Sequence, residues 1–485
     1  MTTGFQFAHR VAFEVEQADL ILRSIPAVPG VFALRGERDG DEPYLTRAAD
    51  LRRRMKRLLD PPESQSKRLN LRERVQWIEY SVTGSEFESL LVVYDAAAAI
   101  FGAEEARRRL RLHTPYFLRL TMENAHPRVY STNRLSSQAL DRTYGPFPSR
   151  AAAERYCDAV LDLFKLRRCH EDLQVSPQHP GCAYGEMKKC MAPCNQTCSA
   201  EEYAAEAGAV EAFFVSHGES MLAEIAAERG RASTEMEFER AAAAHERYSK
   251  VKAAALLADE LVRPVRELRA VIVQKAAGSE EVQEAALFLL EGGCLVGPER
   301  LSTLGVRAVK EQTLVGSSLF AQPLMLQAVP LSSEEGVAVV DSPEVRAGQV
   351  LGELERRVDL TRVTGSRHAA PGDLARLGDH LSLFRRWYYR PEKQRAGEVF
   401  LPNAEGAWPV RRILRGAARL ALGEPKVMAE TDRAGFAAAK TKILHEGREG
   451  VERVVPVVAV VAKKGRRPKG VTTSVVDGLE KAVEP

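Results

Sequence analysis

The sequence lacks any window of eighteen apolar residues, so no membrane-spanning helix and no membrane partner are expected. It also lacks a charged-then-apolar leader, and the expected setting is soluble and cytoplasmic. A charge excess is nearly missing: 69 Lys and Arg against 66 Asp and Glu leave a net +3. Totals therefore give no argument for nucleic-acid binding, and only the placement of charge can supply one. Paired C-x-x-C knuckles, usual in zinc sites, are absent. What is present, 45% hydrophobic and 28% charged residues over 485 positions, is the composition of a globular protein of three or four domains.

Charge is unevenly spread. Ten Lys or Arg face four Asp or Glu between Arg47 and Arg74, and Lys463 to Lys469 holds five basic residues in seven. The first cluster suits salt-dependent, sequence-independent contact with phosphates; a solvated helix face is the alternative. The second reads as a disordered basic tail.

Cysteine is concentrated. Cys169, Cys182, Cys190 and Cys194 lie within 26 residues, with Cys198 shortly after. Four thiolates on one loop can saturate zinc or an iron-sulfur cluster, and Pro177, Pro180, Gly181, Gly185 and Pro193 suit a backbone fixed by metal. Disulfides are disfavoured in a cytosolic setting. Spacing alone does not name the metal, and His170 and His179 stand as conceivable substitute ligands. Cys157 and Cys294 read as buried thiols.

Arg167-Arg168-Cys169, Cys182 with Tyr184, the run Lys189-Cys190-Met191-Ala192-Pro193-Cys194, and Glu201-Glu202-Tyr203 together resemble the cysteine-rich segment of the UvrC subunit of bacterial excinuclease. Upstream, Tyr144-Gly145-Pro146-Phe147-Pro148-Ser149 is similar to the "FGPYPS" stretch of that family. The resemblance implies that Cys169, Cys182, Cys190 and Cys194 hold a four-iron four-sulfur (4Fe-4S) cluster, with zinc as the alternative. Cys198 has no counterpart in it.

The N-terminal segment runs strand, polar loop, strand and basic helix: Pro29 to Leu34, Tyr44-Leu45, then Ala48 to Leu59. Pro29-Gly30-Val31-Phe32 and the run from Tyr44 to Arg54 resemble the "PGVY" and "YVGKAxxLxxR" motifs of the GIY-YIG nuclease domain. That resemblance gives Tyr44 and Arg54 catalytic positions, and the basic cluster around them sets Arg47, Arg52, Arg53, Lys56 and Arg57 as expected DNA contacts. Phe32 replaces a tyrosine. Val93 falls where the family has its metal-binding glutamate, five residues after Glu88 in Ser85-Glu86-Phe87-Glu88-Ser89. A valine offers no lone pair to a divalent ion, so the usual metal-assisted cut loses its anchor. On a helix Asp95 would lie about 200° round the axis from Val93, and Glu86 roughly 10 Å away. Ala96 to Ala99 then replace the polar residues of the family, and Arg107, Arg108, Arg109 and Arg111 follow.

Alanine and glutamate dominate from Ser199 to about Ala255. Met236 to Arg247 is similar to the UVR motif, a helical hairpin that in the family docks on the UvrB helicase subunit; Phe238, Glu239, Ala241 and Ala242 would carry that contact. A hairpin packed on its own domain is the alternative. Residues 270–274 and 286–296 read as strands with a Gly292-Gly293 turn. Glu344 to Leu420 reads as helical. His380 to Arg390 interleaves aromatics with arginines, a pattern that fits either base stacking or a buried helix face. No stretch resembles the RNase H-like second nuclease of the family.

The expected fold is α+β and multidomain: a GIY-YIG-like domain over 1–110, a linker and cysteine-rich region over 111–200 and a helical UVR-like region over 201–255. A small β module over 256–330, a mostly helical region over 331–460 and a tail over 461–485 follow. Two functions fit: a UvrC-like incision subunit of nucleotide excision repair, intact or weakened, that binds DNA and UvrB; or a non-catalytic DNA- or protein-binding module with a structural metal cluster.

Overall fold

A continuous buried run from Gly30 to Leu34 pairs with a half-exposed strand as a hairpin, β2 (Gly30–Arg35) against β3 (Tyr44–Ala48), after β1 (His9–Ala12) and α1 (Ala18–Ser24). The structure, a computed structural model, describes residues 5–38, 41–61, 69–170, 173–278, 283–306, 342–361, 371–391, 394–423, 442–445 and 452–455. Helix α2 (Leu51–Leu59) starts where the Asp50 carboxylate accepts the Arg53 N–H at 2.8 Å, and it buries Leu51, Met55, Leu58 and Leu59. With β4 (Trp77–Val82), the strands form an antiparallel sheet in the order β1-β4-β2-β3. Helix α3 (Glu86–Phe101) begins on two interlocking caps: the Ser85 hydroxyl accepts the Glu88 N–H, and the Glu88 carboxylate accepts the Gly84 N–H at 2.7 Å. The short α4 (Ala103–Arg109) follows.

The middle of the chain pairs β5 (Tyr116–Leu120), β6 (Val129–Thr132), β7 (Thr143–Phe147) and β8 (Arg263–Pro264) in a sheet ordered β6-β5-β7-β8. On it lie α5 (Arg150–Leu163), the single turn α6 (Ala183–Glu186), α7 (Ala200–Val215), and a hairpin of α8 (Glu219–Thr234) and α9 (Phe238–Ala255). Tyr144, Tyr156, Tyr203, Phe213 and Phe214 fill their shared core.

The third sheet joins β9 (Arg269–Lys275), β10 (Glu284–Glu291), β11 (Cys294–Ser302) and the distant β12 (Glu398–Phe400) in the order β11-β10-β9-β12, all antiparallel. Both faces are covered, so its central strands are continuously apolar rather than alternating. Val271, Val273, Leu287 and Leu289 meet Leu351, Leu354 and Val358 of α10 (Pro343–Thr361) and Ile413 and Ala417 of α12 (Val410–Ala421). Ile272, Phe288 and Leu290 meet Leu381, Phe384 and Trp387 of α11 (Pro371–Tyr388) on the other face. One layered body thus takes strands from both sides of residue 330, and β12 is too short to read as a strand from pattern alone. Residues 425–485 form a separate unit, whose described part is the antiparallel pair β13 (Lys442–His445) and β14 (Glu452–Val455). The basic run from Lys463 to Lys469 lies outside the described residues. No helix among the described residues is long and apolar enough to cross a membrane.

Candidate functional site

The cysteine loop hangs between α5 and α7, and the residues flanking the cysteines tie it down. Tyr203 on α7 accepts the Arg167 N–H at 3.0 Å and donates to the Pro127 carbonyl at 2.8 Å. Arg167 donates to the His126 carbonyl at 3.0 Å and reaches the Cys169 sulfur at 3.7 Å. Arg168 and Lys189 both pair with Asp162, at 2.7 and 3.1 Å, and the Arg168 guanidinium lies over the Tyr184 ring. Arg167, Arg168, Lys189 and Tyr203 thus hold the loop to the scaffold.

Within the loop the Cys190 sulfur accepts the Ala192 N–H at 3.3 Å, and Ala192 and Gln196 take left-handed backbone angles. Burial pushes the Cys190 thiol up to about 11, and the sulfurs of Cys182, Cys169 and Cys194 add to that rise. The four cysteines are thus electrostatic neighbours, and all seven in the chain are free of disulfides. Among the described residues, however, no three Cys, His, Asp or Glu side chains meet in an arrangement that could hold a metal ion. The donor set suits a soft metal in kind, while the side chains as placed are not drawn to one centre. His179 accepts the Gly181 N–H at 3.0 Å, and His170 lies 3.5 Å from Arg128. A cavity of about 830 Å³ adjoins the loop, lined among others by Cys182, Cys190, Cys198 and Glu202. Cys157 is buried as expected; Cys294, expected buried, is half-exposed because it opens β11 at the Gly292-Gly293 turn.

In the first domain, β3 and α2 bring Tyr44 and Arg54 together, with the guanidinium donating to the phenol oxygen at 3.1 Å. The Phe32 ring lies 6.3 Å from that of Tyr44 and is fully buried. Val93 is 4% exposed. Among the described residues, no ion pair joins Arg54 to a carboxylate.

The nearby acids are each engaged. Glu88 caps its own helix and is raised by burial. Glu86 is held by Arg390 and Arg47, and the Arg390 hydrogen bond leads in lowering it to about 2. Asp95 is raised to about 6 by burial, with Arg376 pulling the other way. The expected DNA contacts Arg47, Arg52, Arg53, Lys56 and Arg57 are all exposed, four of them along one side of α2.

The hairpin of α8 and α9 turns at Met236, and Phe238 is 72% exposed beside it. Glu239 and Ala242 are exposed as well, and Ala241 is half-buried.

Sequence reasoning missed two clusters built on α11. Asp379 is buried and accepts from Arg107 at 2.7 and 3.0 Å and from the Tyr94 hydroxyl at 3.1 Å. Arg390 and Arg47 share Glu86. An unpaired acid in the middle of an apolar helix is the signal that could have flagged the first. For the interleaved segment, Leu381, Phe384 and Trp387 are core, Arg385 donates to the Pro148 carbonyl, Arg386 to the Leu110 carbonyl, and Tyr389 to the Pro146 carbonyl. A buried helix face, not a base-stacking platform, is what that pattern encodes.

Comparison with known proteins supplies the remaining fact. Residues 116–213 match the UvrC/Cho excinuclease middle domain. Over that segment the chain is similar to the UvrC/Cho excinucleases. UvrABC system protein C of Carboxydothermus hydrogenoformans is 27% identical over 277 residues, 57% of this chain and 44% of that relative. The protein of the same name from Desulforudis audaxviator is 27% identical over 350 residues, 69% of this chain and 55% of its own length. That from Dehalococcoides mccartyi is 23% identical over 371 residues, 73% and 57%. The chain thus spans about half the length of the UvrC relatives it matches. No solved structure matches it.

Proposed function

We propose that this chain is a UvrC-type subunit of nucleotide excision repair that binds DNA and has lost the metal-dependent cut of its nuclease-like domain. The observation that carries the proposal is the pairing of a retained Tyr44–Arg54 contact with a buried Val93 at the metal-ligand position. Arg54 can still steady a phosphate, but the divalent ion that would stabilise the leaving group has no acid to hold it. The exposed basic side of α2 remains suited to the backbone of a duplex. The alternative of a protein-only module is disfavoured by the relatives, all of which are named as parts of the UvrABC system.

Supercoiled plasmid incubated with magnesium or manganese should stay uncut, while a labelled duplex should bind with an affinity that falls steeply with salt. Nicking that disappears in Arg54→Ala would overturn the proposal.

Two finer assignments belong to the same reading. Cys169, Cys182, Cys190 and Cys194 would hold a 4Fe-4S cluster or zinc, which when bound would fix the loop and keep the thiols ionised. Their support is the shared electrostatic neighbourhood of the four sulfurs; visible absorbance and metal content of anaerobically purified protein decide between the two metals. UvrB would dock on the hairpin tip through Phe238, whose ring the fold leaves in water. Phe238→Ala should keep the melting temperature and abolish capture by UvrB.

A further inference from the structure

Glu86 opens α3 and points into a cluster of guanidinium groups drawn from two distant parts of the chain. Arg390, just beyond α11, grips it with both terminal nitrogens, at 2.5 and 3.1 Å, and Arg47 on β3 donates to it at 2.8 Å. Arg386, one helical turn earlier, donates to the Leu110 carbonyl and lies close enough to Arg47 for the two charges to repel. Two guanidinium groups therefore hold one carboxylate, a local excess of one positive charge, and Arg386, whose nitrogens also reach the Arg111 carbonyl, adds its charge beside Arg47. The cluster is open to solvent: the side chains of Glu86, Arg47 and Arg390 are 48%, 42% and 29% exposed.

A guanidinium fork meets a carboxylate and a phosphate in the same two-point geometry. We infer that Arg47 and Arg390, flanked by the charge of Arg386, form a seat for a backbone phosphate of DNA, and that Glu86 is an internal stand-in for that phosphate which DNA must displace. This rests on the DNA-binding reading above and adds to it residues from α11, well outside the nuclease-like segment. The displaced carboxylate remains in the first turn of α3, where the helix N-terminus favours negative charge and water can solvate it. Glu86 thus sets the affinity of the seat without having to leave its helix.

Fluorescence anisotropy of a labelled DNA duplex, titrated with the full chain between 50 and 200 mM salt, tests this. Glu86→Gln keeps a hydrogen-bond acceptor for the arginines and removes the competing charge. It should tighten binding at low salt by about threefold or more and steepen the salt slope by about one, as one more phosphate is neutralised. Arg47→Ala and Arg390→Ala should each weaken binding and flatten the slope by about one, and Glu86→Gln should no longer tighten binding when Arg390 is also alanine. Inorganic phosphate should compete better against Glu86→Gln than against Arg390→Ala.

A structural latch would behave otherwise: Glu86→Gln would lower the melting temperature and leave DNA affinity unchanged or weaker, and that result overturns the inference. Arg53→Ala with Arg57→Ala on α2 separates the two levels. If that pair weakens binding while Glu86→Gln changes nothing, only the seat is lost. If the unaltered chain binds no DNA at any salt, the seat and the proposed function fall together.

Discussion

At the scale of single residues, the cysteines, Tyr44 and Arg54 were legible because motifs fix them at set spacings, whereas the partners that hold them came from far along the chain. Val93 stands where the resemblance expects an acid, and the structure adds that its place is dry. Val93→Glu should therefore cost about 2–4 kcal/mol, as an uncompensated carboxyl enters the interior, and should not bring back cutting while Phe32 lacks a phenol oxygen. Urea unfolding and plasmid nicking of the same variant check both halves. His380 makes a second case. It is fully buried, its Nδ1 accepts the Leu295 N–H at 3.0 Å, and burial, with help from Arg376, holds it neutral by lowering it to about 3. A lowered histidine takes up its proton more readily unfolded than folded. Stability is thus fully present above about 6.5 and falls as pH drops from there toward 3, with a limiting slope of about 1.4 kcal/mol per pH unit. Chemical denaturation between pH 7 and 5 should show stability falling toward lower pH, less steeply below about 6 where the raised Asp95 acts in the opposite sense, and His380→Gln should remove the fall; an unchanged fall would assign it to another group.

At the scale of elements, the helices of the middle region were plain in the sequence because their caps are local: Ser149 accepts the Ala152 N–H, and Ser199 with Glu202 makes a full capping box. Helix α11 was legible as a helix but not in its role, since an amphipathic arginine-rich stretch looks the same whether its aromatic face meets bases or a core. The deciding facts are tertiary. Its apolar side chains meet Phe87, Leu90 and Tyr94 of α3 on one flank and Phe288 on another, and Asp379 binds Arg107 and Tyr94 between them. Asp379→Ala should destabilise the chain by about 3 kcal/mol, because Arg107 and the Tyr94 hydroxyl both lose a buried partner. Asp379→Asn, which keeps an acceptor, should cost less. Equal melting temperatures for the two variants would mean that the charge alone matters.

For the molecule as a whole, the sequence divided at 110, 255 and 330, while one of the two largest cores crosses those borders. It joins α3, Phe117 of the middle sheet, Leu140 in the turn before β7, the strands β9 to β11, and α11. The contact is close enough that a Cβ on Gly84, at the turn between β4 and α3, would come within 2.2 Å of the Lys275 carbonyl oxygen, so only glycine fits there. Such pairings span more than a hundred residues, and no local periodicity reports them. They also make a claim about independence. An autonomous nuclease domain would cover its own α3, but here Phe87, Leu90, Leu91 and Tyr94 are buried only with the help of residues beyond 260. A fragment of residues 1–115 should accordingly expose that face, bind a hydrophobic dye and unfold without a cooperative transition, while the fragment's own core around Phe32, Met55 and Ile78 keeps its strands. A sharp thermal transition in that fragment would show that the domain stands alone and that α11 merely rests against it.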